Sequence, residues 1–130
     1  MTLHALVVED LRVWQEMLQE VLTDARYRVS IAADYASALE ALSRETFQLA
    51  VIDPVLDDRN RHNRDGLRIL RYILDKHPDM RSIVTTSSDP NRIRRDVAEI
   101  SAKTPILWKD EWDDDRFLAL VRDLFTPKEA

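Results

Sequence analysis

At 130 residues and a formal charge of −5, with 45% apolar and 33% charged side chains, the chain has the balance of one folded domain, not of two or of a disordered segment. The absence of cysteine excludes a disulfide framework, a thiol nucleophile and a thiolate zinc site, and the single glycine, Gly66, excludes the G-x-G-x-x-G and Walker A phosphate loops. The acidic balance disfavours a nucleic-acid surface, and no stretch approaches the roughly 20 apolar residues of a membrane span.

Ala5-Leu6-Val7-Val8 is a continuous apolar run that stops at carboxylates, as a strand covered on both faces does. It is too short for a secretion signal and has no basic residues before it, so a cytoplasmic location is the default. Leu11, Trp14, Leu18, Val21, Leu22 and Ala25 then recur at helical spacing through about Arg26. Tyr27 to Ala32 is a β-rich run, and Asp34 caps a second helix through Arg44 with Ala38, Leu39 and Leu42 inward. Phe47 to Ile52 is the second continuous apolar run; it ends at Asp53, and Pro54 cannot continue a sheet ladder. A polar stretch, Asp57 to Asp65, precedes a third helix from Gly66 to about Lys76. Ser82 to Thr86 reads as a fourth strand, followed by a helix with Asp89 as cap and Pro90 in its first turn. Pro105 to Trp108 is a fifth strand ending at Lys109. The acidic group Asp113-Asp114-Asp115 opens a last helix bearing Phe117, Leu118, Val121, Leu124 and Phe125. Residues 3–125 form the expected core of one domain spanning 1–130, with 126–130 as a short tail.

Strict alternation of strand and helix argues for a parallel sheet with helices on both faces, and right-handed crossovers bring every strand's carboxyl end to one edge. Ligands of open α/β sheets bind at that edge. Glu9 and Asp10 follow the first strand, Asp53 the third, Thr86 the fourth and Lys109 the fifth. Crowded carboxylates repel one another, and a divalent cation such as Mg²⁺, content with a few carboxylate oxygens and its own waters, relieves that repulsion. An ionised Asp53 could then attack phosphorus, with Lys109 neutralising the equatorial oxygens and Thr86 donating a hydrogen bond. Thr85 competes with Thr86, since a shift of one residue turns the side chain to the other face; Thr86 is favoured by its place at the tip, before the small Ser87. The basic loop Arg59 to Arg64 reads first as a solvated insertion and second as a contact for a partner or a phosphate, and His62 and His77 read as exposed.

The order Glu9-Asp10, Asp53, Thr86, Lys109, each at a strand end, resembles the receiver domain of two-component response regulators, over about Leu3 to Phe125. The resemblance implies a flavodoxin-like (βα)5 fold, a three-layer sandwich around a five-stranded parallel sheet ordered 2-1-3-4-5, and leaves no room for an output domain. By it, Asp53 is the phosphoacceptor, Glu9, Asp10 and Asp53 with the backbone carbonyl of Val55 hold Mg²⁺, Thr86 is the switch hydroxyl and Lys109 contacts the phosphoryl group. It implies a histidine kinase or phosphotransfer protein as donor, and a downstream protein meeting the face of the fourth helix, fifth strand and fifth helix. A homodimer is compatible with it; direct nucleic-acid or membrane binding is not expected. Such a protein would at most charge itself from a phosphodonor and lose the group slowly, since Val55 and Ser88 place no acid or amide to orient water.

Four positions depart from the family's pattern. Asp110 follows Lys109 where a proline in a cis peptide is usual, so that bond is either strained or trans and Lys109 could point elsewhere. Ile106 stands where an aromatic switch residue is usual, which leaves Trp108 as a substitute. The 13 positions from Asp53 to Gly66 exceed the family's short loop, and Pro54 removes a backbone donor next to the phosphoacceptor. These departures keep open a degenerate receiver that works as a phosphorylation-independent interaction module. An aspartyl phosphohydrolase of the haloacid dehalogenase kind is disfavoured, because Val55 occupies the position of its second carboxylate.

Overall fold

The two continuous apolar runs become central strands with both faces covered. In the computed structural model, which describes residues 2–126, the elements run β1 (His4–Val8), α1 (Arg12–Asp24), β2 (Arg28–Ala32), α2 (Tyr35–Arg44), β3 (Leu49–Ile52), α3 (Asp65–Lys76), β4 (Arg81–Thr86), α4 (Pro90–Ile100), β5 (Ile106–Trp108) and α5 (Asp114–Phe125). The five strands are parallel in the order β2-β1-β3-β4-β5, the flavodoxin-like arrangement. All but Thr126 of the expected tail lies outside the described residues. No helix among the described residues is long and apolar enough to cross a membrane.

Strand alternation sorts the core into two layers. Ala5, Val7, Leu49, Val51 and Ile83 pack against α1 and α5 through Leu18, Leu22 and Phe117. Leu6, Val8, Ala50, Ile52 and Val84 face α2, α3 and α4, where Leu42, Leu70 and Ile93 close the other layer. Each Val, Leu, Ile or Phe among them contributes about 1.5–3 kcal/mol when removed from water. The register Val8↔Ile52↔Val84 aligns the tips of β1 and β3, so the residues just beyond them emerge side by side, while β4 runs two residues further to Thr86.

Aspartates start three of the helices. Asp34 accepts the Ser37 N–H (2.8 Å) while the Asp34 N–H reaches Ser37 Oγ, a reciprocal capping box. Asp89 and Asp113 accept the Asn91 and Asp115 N–H groups, both at 3.0 Å. The observed boundaries differ from the expected ones where local hydrogen bonding competes with periodicity. Helix α1 ends at Asp24, not Arg26, because Arg26 turns left-handed (φ 72°), its N–H bonding Thr23 O and that of Tyr27 bonding Leu22 O. Phe47 lies outside β3 and packs its ring 4.4 Å from that of His4. After β5, Lys109–Glu111 forms a single 3₁₀ turn that periodicity did not foresee.

Candidate functional site

Glu9, Asp53 and Lys109 meet at the carboxyl edge. Each leaves its strand on the face shared with Val7, Val51 and Leu107, so the pleat aims all three toward α1 and α5. Lys109 Nζ donates to Glu9 Oε1 and to Asp53 Oδ2, the latter at 2.7 Å. All three residues are buried, and Nζ also lies 4.8 Å from the centre of the Trp14 ring, a cation–π contact. Among the described residues there is no cis peptide, so Lys109–Asp110 is trans, and the lysine nonetheless points into the site. The 3₁₀ turn that begins at Lys109 is what carries the chain away from it.

Asp10 completes the acidic group: it, Glu9 and Asp53 each offer a carboxylate oxygen, and these lie within 4.8 Å of one another. A side-chain cap for α1 would have been the ordinary use of Asp10, but Leu11 holds that position without one. Instead Glu9 Oε2 accepts the Leu11 N–H (3.2 Å), and the Glu9 carbonyl accepts from Gln15 Nε2 (2.7 Å). Asp53 Oδ1 accepts the Val55 N–H at 2.9 Å, which fixes the turn through Pro54. Gly66 is required here. Its N–H bonds Pro54 O (3.1 Å), and a Cβ at this position would lie 1.8 Å from the Asp53 carbonyl oxygen.

Burial dominates the electrostatics. It pushes the Glu9 carboxyl up to about 7, aided by the negative Asp53 and opposed by Lys109. Asp53 is likewise raised, by burial first, with Lys109 and the Val55 N–H pulling the other way. The pair thus resists carrying full negative charge against the single positive charge of Lys109. A magnesium ion at 2.0–2.1 Å from its oxygens holds them roughly 3–4 Å apart, and these three carboxylates offer oxygens within 4.8 Å of one another. The donor set fits a hard divalent cation.

Thr86 ends β4 fully buried, its oxygen accepting the Ser88 N–H at 3.0 Å, which leaves the hydroxyl proton to donate. Thr85 is equally buried on the other face, and its hydroxyl has no partner. Beyond Thr86 the chain borders an open cleft of about 400 Å³ shared by Asp10, Asp53, Val55, Ser87 and Ser88. Its outer wall is formed by the Arg59 to Arg64 loop, exposed from Arg59 to His62 as expected and half-buried at Asn63 and Arg64. Asn60 accepts the His62 N–H (3.0 Å), and Asn63 Oδ1 accepts those of Leu56 and Asp65 (3.0 Å each). Arg64 bonds Asp96 on α4 at 2.8 Å, and Arg61 and Arg64 line the cleft together with Arg92. His62 is exposed as expected, but His77 is half-buried with its ring 5.8 Å from that of Tyr72.

Sequence reasoning missed Trp14 and Arg92. Each sits within the first turn or two of a helix that starts at the functional edge, and that placement was the available signal. The two tryptophans near Lys109 also separate. Trp112 packs against Trp14 and Phe117 in one layer, while Trp108 lies in the other layer beneath Arg94, 5.1 Å from its ring centre.

The model of the response regulator receiver domain matches residues 5–122. The signal receiver domain of an HD domain-containing protein from Pseudomonas fluorescens is similar in structure, with a TM-score of 0.82 and 22% identity over 95% of this chain and 94% of that one. A CheY-like receiver domain protein from Methanospirillum hungatei gives 0.81 and 21%, covering 95% and 93%. A response regulator from Thermotoga maritima gives 0.78 and 20%, covering 95% and 98%. At such identities these likenesses are of fold. No curated protein matches the chain.

Proposed function

Because the chain belongs to the response regulator receiver domain family, whose general function is phosphorylation-dependent switching in two-component signalling, we propose that it accepts a phosphoryl group on Asp53. Receivers of this family take that group from histidine kinases or phosphotransfer proteins, and we assign this chain a donor of that kind. The observation that carries the reading is the junction of Lys109 with Glu9 and Asp53, beside Asp10 and open to a cleft.

Glu9, Asp10, Asp53 and the carbonyl of Val55 would hold Mg²⁺, which when bound neutralises phosphoryl oxygens and offsets the repulsion of the carboxylates. Lys109, held by Trp14 on one side, supplies a fixed positive charge to the same oxygens. An Asp53 oxygen forms the new bond to phosphorus as the donor's bond breaks. The acyl phosphate brings added negative charge and three acceptors to a place from which the Thr86 hydroxyl can donate. Drawing Thr86 inward would strain its bond to the Ser88 N–H, at the entry to α4, so the response passes to α4, β5 and α5, where a downstream protein would read it. Residues 1–130 would act as one such unit in the cytoplasm.

Incubation with acetyl phosphate or phosphoramidate plus Mg²⁺, followed by intact mass, tests this. One added phosphoryl group in the wild type and none in Asp53→Asn supports the switch. Ile106, half-buried where the family has an aromatic, favours the second reading of a phosphorylation-independent module, and an unchanged wild-type mass would select it.

A further inference from the structure

Pro54 follows Asp53 directly and brings no side-chain donor, acceptor or charge to the site. Unlike every other residue type, it also carries no backbone N–H. Asp53 and Pro54 are both buried, and the Pro54 carbonyl accepts the Gly66 N–H at 3.1 Å. Asp53 Oδ1 accepts the Val55 N–H (2.9 Å). That bond closes a ring of atoms containing both the carboxyl carbon of Asp53 and the nitrogen of residue 54, so the carboxyl is folded back over the peptide that follows it. The Asp53 N–H is spent elsewhere, on Val8 O at 2.9 Å.

Resting on the reading of Asp53 as phosphoacceptor, we propose that Pro54 keeps the acyl phosphate from destroying itself, by withholding the nearest nucleophile in the chain. Phosphorylation activates the carboxyl carbon, because phosphate is a far better leaving group than the hydroxide of a free carboxyl. With any other amino acid at position 54, the amide nitrogen could attack that carbon. The new C–N bond would close a succinimide ring as the C–O bond to the phosphoryl group breaks. Phosphate would leave with the electron pair, and the amide proton would pass to solvent. Water would then open the ring to aspartate and isoaspartate, and the extra backbone carbon of isoaspartate would carry the carboxyl away from Lys109. Proline has no amide proton to give up, so no neutral imide forms. Burial makes this protection matter. It holds back the water that hydrolyses an acyl phosphate, and Val55 and Ser88 orient none, but it cannot hold back a nitrogen of the same chain.

The test charges wild type, Pro54→Ala and Pro54→Val with acetyl phosphate or phosphoramidate and Mg²⁺, removes the donor, and follows intact mass as the phosphoryl group is lost. Wild type should return wholly to its starting mass and recharge to the same extent in successive cycles. Both variants should instead accumulate a species lighter than the starting protein by one water, and then isoaspartate, detected with protein isoaspartyl methyltransferase. Alanine should give more of both than valine, whose branched side chain crowds the attacking nitrogen. A purely structural role for Pro54 would change the lifetime of the phosphoryl group without dehydrating the protein. Charged variants that return to unmodified aspartate, the same products in variants never given donor, or a wild type that itself loses water would overturn the proposal. So would loss of phosphorylation in both variants, since Pro54 would then serve to form the acyl phosphate and not to keep it. A wild type that gains no mass from either donor, or a gain that survives Asp53→Asn, would instead overturn the reading of Asp53 and the role of Pro54 with it.

Discussion

Glu9 sits between two opposing charges in a dry place, and its proton affinity records the outcome. Its carboxyl is pushed up to about 7 by burial and by Asp53 despite the lysine beside it. A carboxylate whose folded value exceeds its unfolded one stabilises the fold most below the unfolded value. That contribution is lost as pH rises through the folded value, here between about 4.5 and 7. Metal-free protein in EDTA should therefore lose stability over this range. Glu9→Gln should flatten the profile, as urea melts at pH 5 and pH 8 will show. His4, at the far edge of the sheet, acts in the opposite sense. Burial lowers its value, so its contribution is present above 6.5 and is lost as pH falls through the folded value. The wild-type curve combines these with the raised Asp53, which acts in the same sense as Glu9, and the Glu9→Gln comparison isolates the acidic pair from His4. Gly66 is equally specific: Gly66→Ala drives a methyl into the Asp53 carbonyl, so α3 or Asp53 must move. We expect a loss of about 1–3 kcal/mol, with phosphorylation impaired by more than that loss accounts for.

At the scale of elements, the C-terminal end of α1 closes with both hydrogen bonds of a Schellman turn around a residue that is not glycine. The left-handed conformation costs an L-residue about 1–2 kcal/mol, so Arg26→Gly should raise stability by about 0.5–1 kcal/mol in chemical denaturation. Reading the sequence placed every strand and α-helix described here. It erred at ends such as this one, because periodicity measures burial and not the hydrogen bonds that stop a helix. The β3–α3 loop was read only in part. Its polar composition suggested solvation, which Arg59 to His62 bear out, but not that Asn60, Asn63 and Arg64 also bond the loop's own backbone and α4. Breaking that tie with Asp96→Ala should leave the fold intact and speed hydrogen exchange in residues 57–64, which mass spectrometry of peptides can follow.

For the whole molecule, five side chains drawn from four strand ends become one site because a parallel sheet of right-handed crossovers has only one carboxyl edge. That much was legible from alternation and from the residue after each strand. Strand order was not, since periodicity does not say which strands are neighbours, and it came from the resemblance to receivers. Nor was the Lys109 geometry legible: without a proline, the direction of the lysine depended on the 3₁₀ turn and on Trp14, neither of which spacing reveals. With Nζ against its ring, Trp14 is a better reporter than Trp108, and its fluorescence should change on addition of Mg²⁺ and stay unchanged in Asp10→Asn. The most direct measurement treats the protein with a phosphodonor and Mg²⁺, traps the product by borohydride reduction and maps the peptides. We predict reduction at Asp53 alone; label at another carboxylate, or none anywhere, would contradict the account.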